Sequence, residues 1–79
     1  MLKLSFKSSK RKEQVLEDAE RYFKEIGLVT REKGDCCIHM EGGGGYVRVG
    51  IVENDKMEVT LETREWDYQV RQFVQLYGK

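Results

Sequence analysis

Proline is absent from this 79-residue chain, and so are a charge excess of either sign and any long hydrophobic run. The 14 basic and 14 acidic residues cancel to a formal net charge of zero. Nucleic-acid binders ordinarily carry a basic excess, because neutralising phosphates supplies much of their affinity. The balance therefore argues against a nucleic-acid partner, and the short apolar runs argue against a membrane span.

Cysteine occurs only as the adjacent pair Cys36 and Cys37. Neighbours on an extended strand point to opposite faces, so this pair cannot close an ordinary disulfide, and Cys36 is expected to face the core. A small domain without a disulfide framework is typical of a reducing compartment. Residues 1–7 alternate apolar and polar instead of forming the apolar block of a signal peptide. We therefore expect a cytoplasmic protein.

What the chain has is the composition of one small globular domain, with 39% hydrophobic and 35% charged residues. Residues 2–7 alternate apolar and polar, which predicts a half-buried first strand. An apolar stripe at helical spacing then predicts a helix over about 10–26. Ser8 or Ser9 is its expected N-cap, and Gly27 lies just past its end.

Four short strands follow the first helix, placed by alternation and by the turn residues between them. They are predicted near residues 28–32, 35–41, 46–52 and 56–62. A second helical stripe runs from Trp66 to Tyr77, with Thr63 as its expected N-cap and Gly78 at its end.

Cross-strand partners must point to the same face of a sheet, so parity tests the register of each hairpin. The glycine run pairs Glu41 with Tyr46, and a turn over 53–55 pairs Val52 with Lys56. The second register implies the pairs Ile51–Met57, Val49–Val59 and Val47–Leu61. Both hairpins then place their apolar side chains on one face, which is the predicted core: Ile38, Met40, Val47, Val49, Ile51, Val59 and Leu61.

The first strand fits beside the last strand, antiparallel to it. Leu4 then lies opposite Leu61, and the polar residue Lys3 lies opposite Glu62. The same register gives the further pairs Phe6–Val59 and Lys7–Glu58. Complementary pairs on both faces therefore predict that the first and last strands are neighbours.

These placements predict an α+β two-layer sandwich, in which a five-stranded antiparallel sheet in the order 1-5-4-3-2 carries both helices on one face. The chain order is β-α-β-β-β-β-α. This order resembles the helix-grip topology of the TATA-binding-protein-like folds. The resemblance is one of topology and implies no function.

The helix-free side of the predicted sheet, which we call the open face, gathers the candidate binding residues. His39, Tyr46 and Arg48 lie at its centre, with Cys37 and Glu41 beside His39 on the same strand. Tyrosine and arginine are frequent in binding hot spots, so the open face is a candidate recognition surface or dimer interface. A plain solvated face is the other interpretation of the same polarity. The edge strand is expected to contribute Leu28, Thr30 and Glu32.

Asp35, Cys37, His39 and Glu41 share one face of one predicted strand and are of types that can bind metal ions. Arg48 is expected opposite His39 and would repel a cation, so no metal site is predicted. Cys37 beside His39 lacks the orienting third group of a nucleophilic pair, so no catalytic residue is predicted.

Two further features invite a phosphate-binding interpretation. The glycine run 42–45 leads into a strand, whereas phosphate loops and dinucleotide fingerprints lead into a helix. We therefore interpret it as a hairpin tip and predict no cofactor. Lys10, Arg11 and Lys12 lie at the start of the first helix, where cations and free amides together can hold an anionic group. A solvated helix start is the simpler interpretation of these three.

The preferred function is a small non-catalytic binding or interaction module that uses the open face, with a homodimer as the simplest partner. The alternative is a small-ligand-binding domain, with the ligand between the sheet and the second helix. A small enzyme and a nucleic-acid binder are weaker hypotheses, and no membrane partner is expected.

Overall fold

The computed structural model describes residues 1–53 and 57–77. Its elements follow the predicted order: β1 (Leu2–Ser8), α1 (Lys12–Glu25), β2 (Val29–Lys33), β3 (Cys37–Gly42), β4 (Gly45–Glu53), β5 (Met57–Arg64) and α2 (Asp67–Tyr77). The strands form one antiparallel sheet in the order β1-β5-β4-β3-β2. The predicted α+β architecture is confirmed, while the helix-grip resemblance stays a prediction. Within the described residues, neither helix is long and apolar enough to cross a membrane.

The core lies between one face of the sheet and the two helices, where a single cluster of hydrophobic side chains is buried. All the core residues predicted by parity belong to it, and the helices close it with Val15, Leu16, Ala19, Phe23, Val70 and Phe73. The other side of the sheet carries no helix, so the open face exists as predicted.

Two of the predicted registers are confirmed residue by residue. Between β1 and β5, Leu4 lies opposite Leu61 and Lys3 opposite Glu62. Between β3 and β4, Glu41 lies opposite Tyr46, as the glycine loop requires.

The predicted register between β4 and β5 is wrong by two residues. Val52 lies opposite Glu58 and Val49 opposite Leu61, so every predicted pair along this hairpin is displaced. A shift of two preserves the face on which each side chain points, which is why the predicted core survives the error. The predicted partner Lys56 lies outside the described residues.

The edge strand β2 departs from simple alternation because its register shifts between Thr30 and Glu32. The predicted open-face positions of Leu28 and Thr30 are therefore wrong. Leu28 is buried in the core, and Thr30 lies opposite Met40 on the helix-covered face. Its hydroxyl donates to Oε2 of Glu20 on α1 at 2.7 Å. Of the predicted β2 contributions, only Glu32 lies on the open face.

The first helix begins without the predicted serine cap. Arg11 occupies the N-cap position and makes no side-chain capping bond. Ser8 is the last residue of β1, and its Oγ accepts a bond from the backbone amide of Lys10 at 3.1 Å. The predicted end is confirmed, since Gly27 has a φ of 112°, a left-handed conformation that suits glycine.

The second helix is not capped by Thr63, which belongs to β5 and is fully buried. Its hydroxyl donates to the backbone oxygen of Tyr46 at 2.7 Å. The carbonyl of Trp66 accepts the first helical bond, from the amide of Val70 at 3.0 Å. The predicted final residue, Gly78, lies outside the described residues.

The cysteines are both free and both exposed. The prediction that Cys36 faces the core is wrong, because the chain bends at Asp35 and Cys36 and β3 begins only at Cys37. Alternation therefore does not extend back to either bent residue.

Candidate functional site: the open face

A row of charged side chains crosses the open face at the middle of the sheet. Lys3, Glu62, Arg48, His39 and Glu32 are successive cross-strand partners, from one edge strand to the other. We call these five residues the central row. Basic and acidic groups occupy its two opposite ends, so the row has a direction across the sheet.

His39 is held at the centre of the row by hydrogen bonds on both sides of its ring. Arg48 Nε donates to Nδ1 of His39 at 3.4 Å. An arginine can only donate, so Nδ1 accepts and the ring carries its hydrogen on Nε2, 3.0 Å from Oε2 of Glu41. The bond from His39 lowers the pKa of Glu41, with Arg31 adding to the effect. The imidazole is only 17% exposed and has one defined orientation.

Tyr46 is fixed beside this histidine. Its hydroxyl donates to Oε2 of Glu62 at 2.8 Å, and this bond raises the pKa of Tyr46. Its ring stacks on His39, with 5.6 Å between the ring centroids and an interplanar angle of 28°. The guanidinium of Arg48 lies 5.7 Å from the centre of the Tyr46 ring. The three central residues predicted as a binding surface therefore form one connected cluster.

A second row lies one step along the strands from the central row. Arg64, Tyr46, Glu41 and Val29 are its cross-strand partners, and we call these four residues the tyrosine row. Arg31 lies 3.3 Å from Glu41, measured from Nε to Oε1. A pocket of about 510 Å³ opens here, lined by both arginines, Tyr46 and the glycine turn.

The glycine turn itself is tighter than predicted, because Gly42 and Gly45 pair with each other. Only Gly43 and Gly44 form the connection, with φ values of 57° and 82°, as the favoured two-residue hairpin turn requires. Trp66 Nε1 donates to the backbone oxygen of Gly42 at 2.8 Å and so covers the turn from the helix side. The glycine run is therefore anchored at one corner of the sheet.

Cys37 lies on the open face opposite Gly50, one step from His39. Asp35, which was predicted to share a face of this strand with Cys37, His39 and Glu41, lies before β3 begins. Across residues 1–53 and 57–77, no group of three or more His, Cys, Asp or Glu side chains is placed to hold a metal ion.

The predicted anion-binding residues Lys10, Arg11 and Lys12 lie where α1 begins, but their side chains do not converge. An anion site at this position stays a prediction. The three residues contact separate partners: Lys12 Nζ lies 3.4 Å from Glu53, Arg11 Nε lies 3.9 Å from Glu13, and Lys10 Nζ lies 4.2 Å from the centre of the Tyr77 ring.

The pocket beside Tyr77 has a volume of about 240 Å³ and opens between α1 and α2. The alternative function, a ligand between the sheet and α2, predicts a cavity lined by both Trp66 and Tyr77. Trp66 does not line this pocket. That alternative stays a prediction.

Sequence reasoning missed Val29, Arg31 and Arg64 as open-face residues. The position of Arg64 follows from continuing the alternation of β5 two residues beyond Glu62. No comparable signal exists for Val29 and Arg31, because the irregularity in β2 decides their placement.

No protein-family model matches the chain, and a search of curated proteins finds no significant match. Function is therefore inferred from the geometry of the open face.

Proposed function

We propose that this protein is a small non-catalytic interaction module, and that the open face is its binding surface, with a second copy of the chain as the simplest partner. The supporting observation is the connected cluster of His39, Tyr46 and Arg48, oriented by hydrogen bonds to Glu41 and Glu62. Tyrosine and arginine supply much of the binding energy in protein interfaces when their neighbours hold them in place.

Fixed side chains favour binding because less conformational freedom is lost on association. Ordering a flexible side chain at an interface costs about 0.5–1.5 kcal/mol. In the free protein the rings of Tyr46 and His39 are already stacked, and both are bonded at their polar atoms. This part of the cost is therefore paid during folding.

Exposed valines at two ends of the open face add apolar surface to this polar centre. Val29, in the tyrosine row, is 54% exposed, and Val52, near the far end of β4, is 44% exposed. Val52 lies opposite Glu58, which places it on the open face. Apolar side chains on the same surface as an oriented tyrosine and arginine are the mixture found at protein interfaces.

The test is the molar mass of the protein by light scattering across a dilution series, compared with that of Arg48→Glu. We expect the unaltered chain to form dimers and Arg48→Glu to be monomeric, because the new carboxylate lies next to Glu62 and accumulates negative charge in both copies. Arg71→Glu is the matched control, since Arg71 is exposed on α2 away from the open face.

Far-UV circular dichroism checks that both variants are folded, as expected for exposed positions. A monomer at every concentration up to the millimolar range would reject the homodimer. Equal dimerisation of the Arg48 variant and the unaltered chain would show that self-association uses another surface.

A further inference from the structure

We infer that two copies of the chain pack open face to open face about a two-fold axis that runs along β4, with Lys3 of one copy against Glu32 of the other. This inference rests on the proposed function and adds the geometry of the partner to it. β4 is the middle strand of the five, with β5 and β1 on one side and β3 and β2 on the other.

The geometry follows from the requirement that the two faces look at each other. The two-fold axis must then lie between the sheets and parallel to them. An axis along β4 sets β4 over itself, β5 over β3 and β1 over β2, while each residue keeps its level along the strands. Each cross-strand row of one copy therefore faces the same row of the partner in reverse order.

The two ends of the central row are complementary to its reverse. Lys3 at one end meets the partner's Glu32, and the partner's Lys3 meets Glu32, so the arrangement repeats each contact twice. Glu62 meets the partner's His39, whose Nε2–H is already bonded to Glu41 of its own copy, so the two side chains pack without a new hydrogen bond. Arg48 lies at the axis and faces the partner's Arg48, so the centre of the row is a like-charge contact, with Glu62 beside it on the neighbouring strand of each sheet.

The tyrosine row is complementary in the same way. Arg64 meets the partner's Glu41, and Tyr46 meets the partner's Tyr46 at the axis. Val29 meets the partner's Met1. Met1 precedes the pair Leu2–Thr63 by one residue, which places it at this level, and it is 84% exposed. Apart from Arg48 at the axis, opposite charges, aromatic rings and apolar ends therefore coincide without any change of register between the two rows.

The far end of β4 adds an apolar contact on the same axis. Val52, at the level of Glu58, meets the partner's Val52. Contact between the two valine side chains removes apolar surface from water, which is favourable. The self-contacts of Tyr46 and Val52 therefore lie at the two ends of β4.

An axis running across the strands gives the opposite result. It places β1 over β1 and β5 over β5. The open-face positions of β1 include Lys3 and Lys7, and those of β5 include Glu58 and Glu62. Each strand then meets its own sign of charge near the axis, which is unfavourable. The axis along β4 brings a like charge onto itself only at Arg48, whereas the axis across the strands does so along both β1 and β5, so the charges favour the axis along β4.

The dimensions suit such a contact. β4 has 9 residues, and at about 3.3 Å per residue and about 4.8 Å between strands the sheet offers roughly 600 Å² per copy. The total of roughly 1,200 Å² lies at the lower end of specific interfaces. Stacked sheets pack about 10 Å apart with strand directions within about 30°, a gap that Lys, Glu and Arg side chains can bridge from both sides.

The experiment is a charge swap between the two edges of the sheet. Lys3→Glu and Glu32→Lys are expected to weaken the dimer about tenfold or more each, because either substitution creates two repulsive contacts per dimer. The double variant restores attraction and should return to within about threefold of the unaltered chain. Dissociation constants from sedimentation equilibrium measure all of these.

The swap is decisive because the two residues cannot compensate each other within one chain. Lys3 and Glu32 lie on opposite edge strands, four strand spacings or roughly 19 Å apart. Lys3→Glu combined with Glu25→Lys is the matched control. It has the same net charge as the double swap, but Glu25 is exposed at the end of α1, away from the open face. This control should not restore binding.

The outcomes separate the two proposals. Restoration by Glu32→Lys and not by Glu25→Lys supports the axis along β4. A dimer that Arg48→Glu disrupts, but in which Glu32→Lys does not restore binding to Lys3→Glu, overturns the axis and leaves the open face as the interface. A chain that does not dimerise at all overturns both.

Discussion

Gly45 provides a sharp test of the packing at the corner of the open face, because its backbone lies against the end of β5. A Cβ atom at this position would clash with the carbonyl oxygen of Arg64 and come within 2.6 Å of the Cβ of Glu65. Neither contact involves the far end of a flexible side chain, so the backbone itself must move. Overpacking of this kind costs about 1–3 kcal/mol, and we expect Gly45→Ala to lie at the upper end.

Two other glycines provide matched comparisons for this substitution. A Cβ at Gly44 meets open space, and only its φ of 82° opposes a side chain, which costs about 1–2 kcal/mol. A Cβ at Gly34 makes an ordinary contact with Cys37 Sγ at 3.7 Å, so Gly34→Ala should change stability by less than about 0.5 kcal/mol. Urea unfolding followed by far-UV circular dichroism measures the three variants. If Gly45→Ala is as stable as Gly44→Ala, or more stable, the close approach of β4 to Arg64 is refuted.

Two predictions concern pH. Bonding to Lys33 lowers the pKa of Glu20 below its ordinary 4.5. As pH falls, the unfolded chain therefore binds the proton first, and stability is lost below about pH 4.5. Glu20→Gln should reduce this loss, as measured by urea titrations at pH 6, 4.5 and 3.5. Burial and the bond to Asp18 raise the pKa of Tyr77 above its ordinary 10.0. As pH rises, the unfolded chain therefore loses its proton first, and stability should fall past about pH 10. Tyr77→Phe should reduce that loss in the same assay at pH 9 to 11. A pH dependence unchanged by either substitution would contradict the corresponding contact.

Register could be predicted from the sequence where both faces of a strand pair constrain it. Leu4 opposite Leu61 and Lys3 opposite Glu62 agree on a single alignment of β1 and β5. Between β4 and β5, Val49 is as well matched by Val59 as by its true partner, Leu61. A shift of two residues changes neither polarity nor face, so pattern alone could not detect it.

The course of the edge strand and the first residues of the helices could not be predicted from local sequence patterns, because tertiary contacts determine them. The irregularity in β2 turns Thr30 and Lys33 toward Glu20 of α1, which bonds to both. Thr63 has the residue type of a helix cap, yet its hydroxyl is used inside the sheet by the carbonyl of Tyr46. In both cases a tertiary hydrogen bond decided the outcome.

The centre of the candidate site was easier to place than its surroundings. Parity puts His39, Tyr46 and Arg48 on the open face, and they lie there. Their stacking and hydrogen bonds depend on rotamers and on Glu62 of a third strand, which alternation does not specify. Arg64 could have been found by continuing β5 further along the chain.

The two outer strands of the sheet also limit how copies of this chain can accumulate. β2 is short, irregular at Arg31 and charged at Glu32 and Lys33, and β1 carries Lys3 and Lys7. Such edges are poor templates for a further strand, so we expect no lengthening of the sheet from chain to chain. The proposed packing through the open face would occupy the same surface in both copies and leave none for a third. Growth would therefore terminate at a pair, which distinguishes this architecture from β-proteins that polymerise into fibres.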